Sequence, residues 1–439
     1  MDQKKEEEIR KEKEKNLEIF ENYVLKKNEE APYLYILSGK YFQWDPTGTN
    51  LSRISIFDKN RGTVAQDREM VNKILSILMT IKDPKEKQLK IEELKLSQKE
   101  MKGIGSMLGM AIGDAMGARY EFEPVRYGVI DLRDMGDESA SNFGMEPGQW
   151  TDDTSMGLCI ADSLLMNNGK LDQHDIMHRF LCWWKGGLNN AFRFDKKPRH
   201  SVGLGGNISL ALGKYPKDKE AETSAGDKNT SGNGSIMRNG AIPICYSDNI
   251  ENACEMARKQ SLITHQGLEA KECCSLLTHI VVKIINGEEL KDVLNNLDKS
   301  FHSNVKSVEA LAKHQQEGDD ENRNWNWMVE QYKYSPYRSK LQPGYIGSYA
   351  MDNMAMSLNV LYTTNSFEEA LIKVVNIRGD SDSVASVVGQ IAGAYYPIWT
   401  IPGDWIQAVY NSDRGEIALR GYMLARLKEG KSYIIKKEK

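Results

Sequence analysis

Cysteine is scarce, with six among 439 residues, none at CxxC spacing and two of them, Cys273 and Cys274, adjacent. That excludes a disulfide framework and a zinc ribbon, and it implies a reducing setting. The opening stretch MDQKKEEEIRKEKEKNLEIF lacks the apolar centre of a signal peptide. No later apolar run is long enough to span a bilayer, so no membrane association is expected. An excess of charge of one sign is missing too. With 58 basic and 62 acidic residues the formal net charge is -4, which gives no electrostatic reason to expect a nucleic-acid partner. The short basic cluster Lys196, Lys197 and Arg199 reads as solvated loop. There is no fixed-period internal repeat, and no glycine-rich stretch matches a Walker or dinucleotide fingerprint. These absences leave a cytoplasmic globular protein as the expectation, with a protein exported without a cleaved N-terminal signal as the alternative that would look the same.

What is present divides by texture. Residues 1 to about 28 read as a charged helical arm. The aromatic and β-branched stretches Tyr33 to Trp44 and Arg53 to Phe57 read as short strands. Met70, Ile74, Leu75, Ile77, Leu78 and Ile81 recur at helical spacing, and lysine-rich helical turns follow from Asp83 to Met101. Tyr33, Tyr35, Tyr41, Phe42 and Trp44 would either pack as strand residues or offer an aromatic surface to a partner. From about residue 99 onward the pattern is helical segments separated by loops rich in Gly, Asn and Asp. Examples are Met156 to Met166, Asn252 to Ser261, Leu268 to Ile285, Met351 to Tyr362 and Val384 to Tyr396. The expected fold is therefore mostly α, a compact helical domain over 99–439 with a small mixed α/β extension over 1–98.

The chemistry lies in the loops. GQWTDDTSMG sets Asp152 and Asp153 side by side between Thr151 and Thr154, directly before an apolar helix. Adjacent carboxylates stay ionised together only when a cation or strong donors hold them. A helix cap with an acidic first turn is one reading, but a cap needs a single oxygen and four oxygen-bearing side chains are available. VNIRGDSDSVASVVGQIAGAYYP repeats the device, with Asp380, Asp382 and Ser383 at the start of another small-residue helix. Two such clusters facing each other would make a cage of hard oxygen ligands suited to Mg²⁺, Mn²⁺ or Ca²⁺ rather than zinc. The loops GLGGNIS and SGNGSIMRNG, around Gly206, Asn207 and Gly232 to Arg238, let backbone N–H groups approach a phosphate. His265 precedes a helix, where it serves either as a structural donor or as a site residue.

The segments GMAIGDAMGARYEFEP, GQWTDDTSMGLCIADSLL, SGNGSIMR, THQGLEA and RGDSDSVASVVGQIAGAYY occur in an order that resembles the ADP-ribosylglycohydrolase family. The resemblance spans about Lys102 to Pro397. It implies an all-α enzyme with two Mg²⁺ or Mn²⁺ ions that releases ADP-ribose from an ADP-ribosylated protein. By position in these motifs, Thr151, Asp152, Asp153, Asp380, Asp382 and Ser383 match the family's metal ligands. Glu121 matches a mobile glutamate that acts as base or gates the site, with Asp152 or Asp153 as a second catalytic carboxylate. Gly206, Asn207, Gly232, Asn233, Gly234, Arg238 and His265 fall in the loops that bind ADP-ribose or shape its pocket.

Three departures matter. The extension before Lys102 has no counterpart in the family core. Ser231 stands where some relatives carry an aromatic residue against adenine, which would leave Phe192, Phe194 or Trp325 to stack there. Ser383 stands where many members have threonine, and the GDSDS form resembles the arginine-specific branch. The acceptor expected first is arginine, then serine O-links, then small ADP-ribose conjugates. An inactive ADP-ribose-binding relative would have lost metal ligands, and all six positions carry oxygen. A haloacid-dehalogenase-type phosphatase reading of the DSD segment fails because too few residues follow Ser383.

Overall fold

The computed structural model describes residues 42–44, 51–53, 63–136, 143–192, 195, 201–218, 220–319, 321–333 and 344–427. Its longer helices are α1 (Thr63–Thr80), α2 (Pro84–Glu93), α3 (Gln98–Gly117), α4 (Asp152–Met166), α5 (Gln173–Gly186), α6 (Gly206–Asp218), α7 (Ile250–Leu262), α8 (Leu268–Ile285), α9 (Ala350–Thr363), α10 (Phe367–Ile377), α11 (Ser381–Tyr395), α12 (Gly403–Asp413) and α13 (Glu416–Arg426). The strands among the described residues are β1 (Phe42–Trp44) and β2 (Leu51–Arg53), an antiparallel pair in which Phe42 faces Arg53. The protein is thus mostly α, as the periodicity predicts, and the five helical segments named above all form. None of the described helices is long and apolar enough to cross a membrane. The expected charged arm, Tyr33, Tyr35, Tyr41 and residues 54–57 lie outside the described residues.

The centre of the fold is set by glycine. Helix α3 starts at a capping box, in which Ser97 Oγ accepts from the Glu100 amide and Glu100 returns a bond to the Ser97 amide. From there Gly105, Gly109, Gly113 and Gly117 recur every fourth residue, making one bare face on the helix. That face meets α11 with no side chain between the backbones. A Cβ built on Gly105 would fall 2.1 Å from the Gly393 carbonyl oxygen, and one on Gly109 would fall 2.0 Å from that of Gly389. The helices run antiparallel, because Gly105 meets Gly393 while Gly117 meets Asp382. Ser106 Oγ donates to the Gln390 carbonyl (2.9 Å) and Ser381 Oγ to the Gly117 carbonyl (2.5 Å), locking the axial register. On another side of α3, Gly103 meets Gly421 of α13 in the same way. The end of α3 and the start of α11 are therefore forced together.

Packing does not stop at residue 98. Val71, Ile74, Leu75 and Leu78 of α1 and Ile91 of α2 belong to the same buried core as the later helices. A Cβ on Gly403 of α12 would lie 2.6 Å from the Leu78 carbonyl oxygen. Helix α1 packs against α12 and α13, so its removal would expose part of that core. Leu78→Ala is accordingly expected to cost about 2–5 kcal/mol, read as a shift of a single urea-unfolding transition. A second, separate transition would instead make α1 an independent unit.

Candidate metal centre

Three chain segments meet at the junction of α3 and α11. Asp114, in the last turn of α3, is fully buried and accepts four bonds from the start of α4. Its Oδ1 takes the Thr151 amide (3.0 Å) and hydroxyl (2.9 Å), and its Oδ2 takes the Thr154 amide (2.9 Å) and hydroxyl (2.7 Å). The N-terminus of α4 is thus capped by a carboxylate from another helix, while Thr151 makes no side-chain cap bond of its own. This answers the question posed by the paired aspartates: capping is done by Asp114, and Asp152 and Asp153 are left for other partners.

Those partners are more carboxylates. Oxygens of Asp114, Asp153 and Asp382 lie within 4.8 Å of one another, as do those of Glu121, Asp380 and Asp382. Asp382 belongs to both groups. Thr151 Oγ1 is 3.3 Å from Asp153 Oδ2 and 3.5 Å from Asp382 Oδ2, and Ser383 Oγ is 3.5 Å from Asp153 Oδ2. Asp152 stands beside them against the loop before α6, where a Cβ on Gly203 would fall 2.1 Å from Asp152 Oδ1. Gly203 has φ +82°, a conformation that suits a residue with no side chain. All six positions matched to metal ligands are therefore gathered in one place, together with Glu121.

Electrostatically this is an unbalanced site. Burial, followed by the charge of Asp380, pushes the Glu121 carboxyl up to about 8. Burial and then the neighbouring carboxylates hold Asp152, Asp153 and Asp382 well above the usual carboxylate range. Burial raises Asp114 and Asp380 as well, opposed by the hydroxyl and amide donors around them. Asp153 Oδ1 is buried with no hydrogen-bond partner. Two helix N-termini converge here and contribute partial positive charge, which is far less than six carboxylates require. The donor set fits divalent cations: hard carboxylate and hydroxyl oxygens, an orphaned acceptor, and in the two carboxylate groups neither sulfur nor imidazole.

The expected ADP-ribose loops surround the acids. Asn233 Nδ2 donates to Asp380 Oδ2 (3.1 Å) and to the Gly347 carbonyl (3.0 Å), so it reaches the acidic group itself. Gly232 adjoins Asn207 and His265, since a Cβ there would lie 3.0 Å from Asn207 Nδ2 and 3.5 Å from His265 Nε2. Gly234 packs against the same imidazole, while Gly206 is open to solvent at the start of α6. Burial, then the nearby Arg238 guanidinium, pushes His265 down to about 3, so it is neutral at physiological pH, with Nδ1 bonded to Thr264 Oγ1 at 2.8 Å. Arg238 itself is fully buried. It donates to Gln260 Oε1 (3.2 Å), the Gln260 carbonyl (3.2 Å) and Thr264 Oγ1 (2.8 Å), and lies 4.6 Å over the Phe180 ring. These bonds tie it to the segment that carries His265.

Two residues of the centre escape a reading of the sequence. Asp114 carries only a weak signal, a single acid on the glycine-spaced face of an apolar helix. Tyr345, whose hydroxyl bonds Asp380, sits in a segment with no recognisable pattern. The expected adenine platforms also change. The rings of Phe192 and Trp325 are wholly buried, Trp325 donating Nε1 to Glu317 Oε2 (2.9 Å), so neither presents a face to a ligand. Phe194 lies outside the described residues.

The family model described as ADP-ribosylglycohydrolase matches residues 96–432. An ADP-ribosylarginine hydrolase, Tri1, of Pseudomonas putida is 29% identical over 70% of this chain and 73% of its own length. The ADP-ribosyl-[dinitrogen reductase] glycohydrolase of Rhodospirillum rubrum is 26% identical over 70% of this chain and 89% of its own length. A solved structure titled ADP-ribosylglycohydrolase-related protein complex superposes with a TM-score of 0.59 at 27% identity, covering 76% of this chain and 99% of that one.

Proposed function

Because the chain belongs to the ADP-ribosylglycohydrolase family, we propose that this enzyme hydrolyses the bond between ADP-ribose and the arginine side chains of modified proteins, using two Mg²⁺ or Mn²⁺ ions. The observation that carries the metal-dependent part is the pair of overlapping carboxylate groups, Asp114, Asp153 and Asp382 beside Glu121, Asp380 and Asp382. Thr151, Asp152, Asp153, Asp380, Asp382 and Ser383 are the residues that would hold the ions, with Asp114 orienting Thr151 and Thr154. When bound there, divalent cations would supply an anchor for vicinal ribose hydroxyls and would offset the carboxylate charge.

The chain's own groups divide the remaining work. Gly232, Gly234 and Asn207 border the neutral His265, an arrangement that favours phosphates approached by backbone amides and not by a fixed positive charge. Glu121 stands in a loop, apart from the helices that carry the other acids, and there it exchanges a proton with water or with the leaving nitrogen. Arginine as acceptor is supported by the two relatives named as ADP-ribosylarginine hydrolases, at 29% and 28% identity.

The test is to incubate the protein with arginine-linked, serine-linked and polymeric ADP-ribose, with Mg²⁺ or Mn²⁺ and with excess chelator, and to measure ADP-ribose release. Release from the arginine conjugate that stops on chelation is expected. Release from the serine-linked or polymeric substrate alone would overturn the arginine assignment, and full release in chelator would overturn the metal. Glu121→Gln is expected to lower turnover by about 100-fold or more while metal binding changes less. Should Glu123→Gln inactivate and Glu121→Gln not, the wrong carboxylate has been assigned.

A further inference from the structure

Arg378 ends α10 with φ 69° and ψ -152°, a region of backbone space that is essentially reserved for glycine. Nothing in the local chain demands arginine there, since Gly379 follows at φ 75° and would make the turn with a glycine neighbour just as well. A side chain kept at such a position has work to do elsewhere. Its contacts name that work. Arg378 is nine-tenths buried, and Nη1 pairs with Glu123 Oε2 while Nη2 pairs with Asp131 Oδ2 at 2.8 Å. The guanidinium carbon lies 4.3 Å over the ring of Tyr120, whose hydroxyl donates to the other Asp131 oxygen at 2.8 Å.

Tyr120, Glu123 and Asp131 all belong to the loop that carries Glu121. The backbone repeats the link: Phe122 N donates to the Gly379 carbonyl (3.0 Å) and Gly379 N donates to the Glu123 carbonyl (2.9 Å). A planar fork that reaches two carboxylates and stacks on a ring is chemistry that arginine performs and lysine does not. We propose that Arg378 is the positioning residue for Glu121, a clasp that holds the glutamate's loop against the turn bearing Asp380. The proposal rests on the reading of Glu121 as the proton-handling group.

Arg378→Gly is the informative variant, because glycine accepts the backbone and removes only the clasp. Its kcat on the arginine-linked substrate is expected to fall about 10- to 100-fold, with KM and Mn²⁺ affinity within about threefold of the parent. Arg378→Lys is expected to fall between the two. In the Glu121→Gln background, Arg378→Gly is expected to add less than about twofold to the loss, since two residues acting through one group are not additive. A full multiplicative loss in the double variant would overturn the clasp alone, and so would a loss of Mn²⁺ affinity in step with kcat. Parent-like activity in Glu121→Gln would instead remove the role of Glu121 and take the clasp with it.

Discussion

Asp382→Asn is expected to abolish hydrolysis, lowering kcat/KM by at least about 1,000-fold, which corresponds to roughly 4 kcal/mol of transition-state stabilisation. Asp382 is the carboxylate common to both acidic groups, so its neutralisation is expected to weaken both of the proposed cation positions at once. The amide also turns donor hydrogens toward oxygens that are themselves short of positive charge. Folding should survive, because the asparagine oxygen can still accept the Ser383 amide that Asp382 Oδ1 takes at 2.9 Å. In the absence of divalent ions the variant should be at least as stable as the parent, having one fewer buried charge among mutually repelling neighbours. Saturating Mn²⁺ should then raise the parent's melting temperature and leave the variant's nearly unchanged. Activity within tenfold of the parent, or an undiminished Mn²⁺-induced shift, would show that the acids do not share ions through Asp382.

The second large effect concerns stability. Gly109→Ala would place a methyl group 2.0 Å from the Gly389 carbonyl oxygen, and neither backbone can retreat without separating α3 from α11. The alanine gains about 1 kcal/mol of helix propensity, and the clash is expected to outweigh it and leave a net loss of at least about 3 kcal/mol. Gly213 in α6 supplies the control, since a Cβ there meets nothing within 4 Å. Gly213→Ala is expected to stabilise by about 0.5–1 kcal/mol. Urea denaturation of both variants separates the two cases, and equal behaviour would mean that the helix backbones are not in contact.

The helices and the acidic motifs were legible because each rests on a local pattern. Met156 to Met166 and Val384 to Tyr396 repeat apolar residues at helical spacing, and TDDT and GDSDS put oxygen side chains at the starts of those helices. What could not be read was which group caps which helix. Thr151 to Thr154 taken alone allow either a self-capped helix or a metal site, and the choice turns on Asp114, a residue from a distant helix whose own sequence context is apolar. Arg238 shows a related limit. Its place in a glycine-rich loop is legible, but its bonds to Gln260 and Thr264 are long-range and no spacing announces them. The extension illustrates a third limit, since change of composition before residue 98 does not register that Leu75 and Leu78 are buried in the common core, on a helix that contacts α12 and α13.

The contact between α3 and α11 also has a consequence for the order in which this protein comes into being. Ser381 and Gly117, joined by one hydrogen bond, stand 264 residues apart in the chain, and the two acidic groups each draw on residues near both ends of that span. During synthesis the glycine face of α3 must therefore wait, bare and unpaired, until almost the whole catalytic region has left the ribosome. Closure over so long a separation is slow compared with the formation of local helix pairs. The acids are brought together only at that late step, so a truncated or half-made chain holds them as isolated carboxylates, with neither the mutual repulsion of the finished centre nor the cation affinity proposed for it.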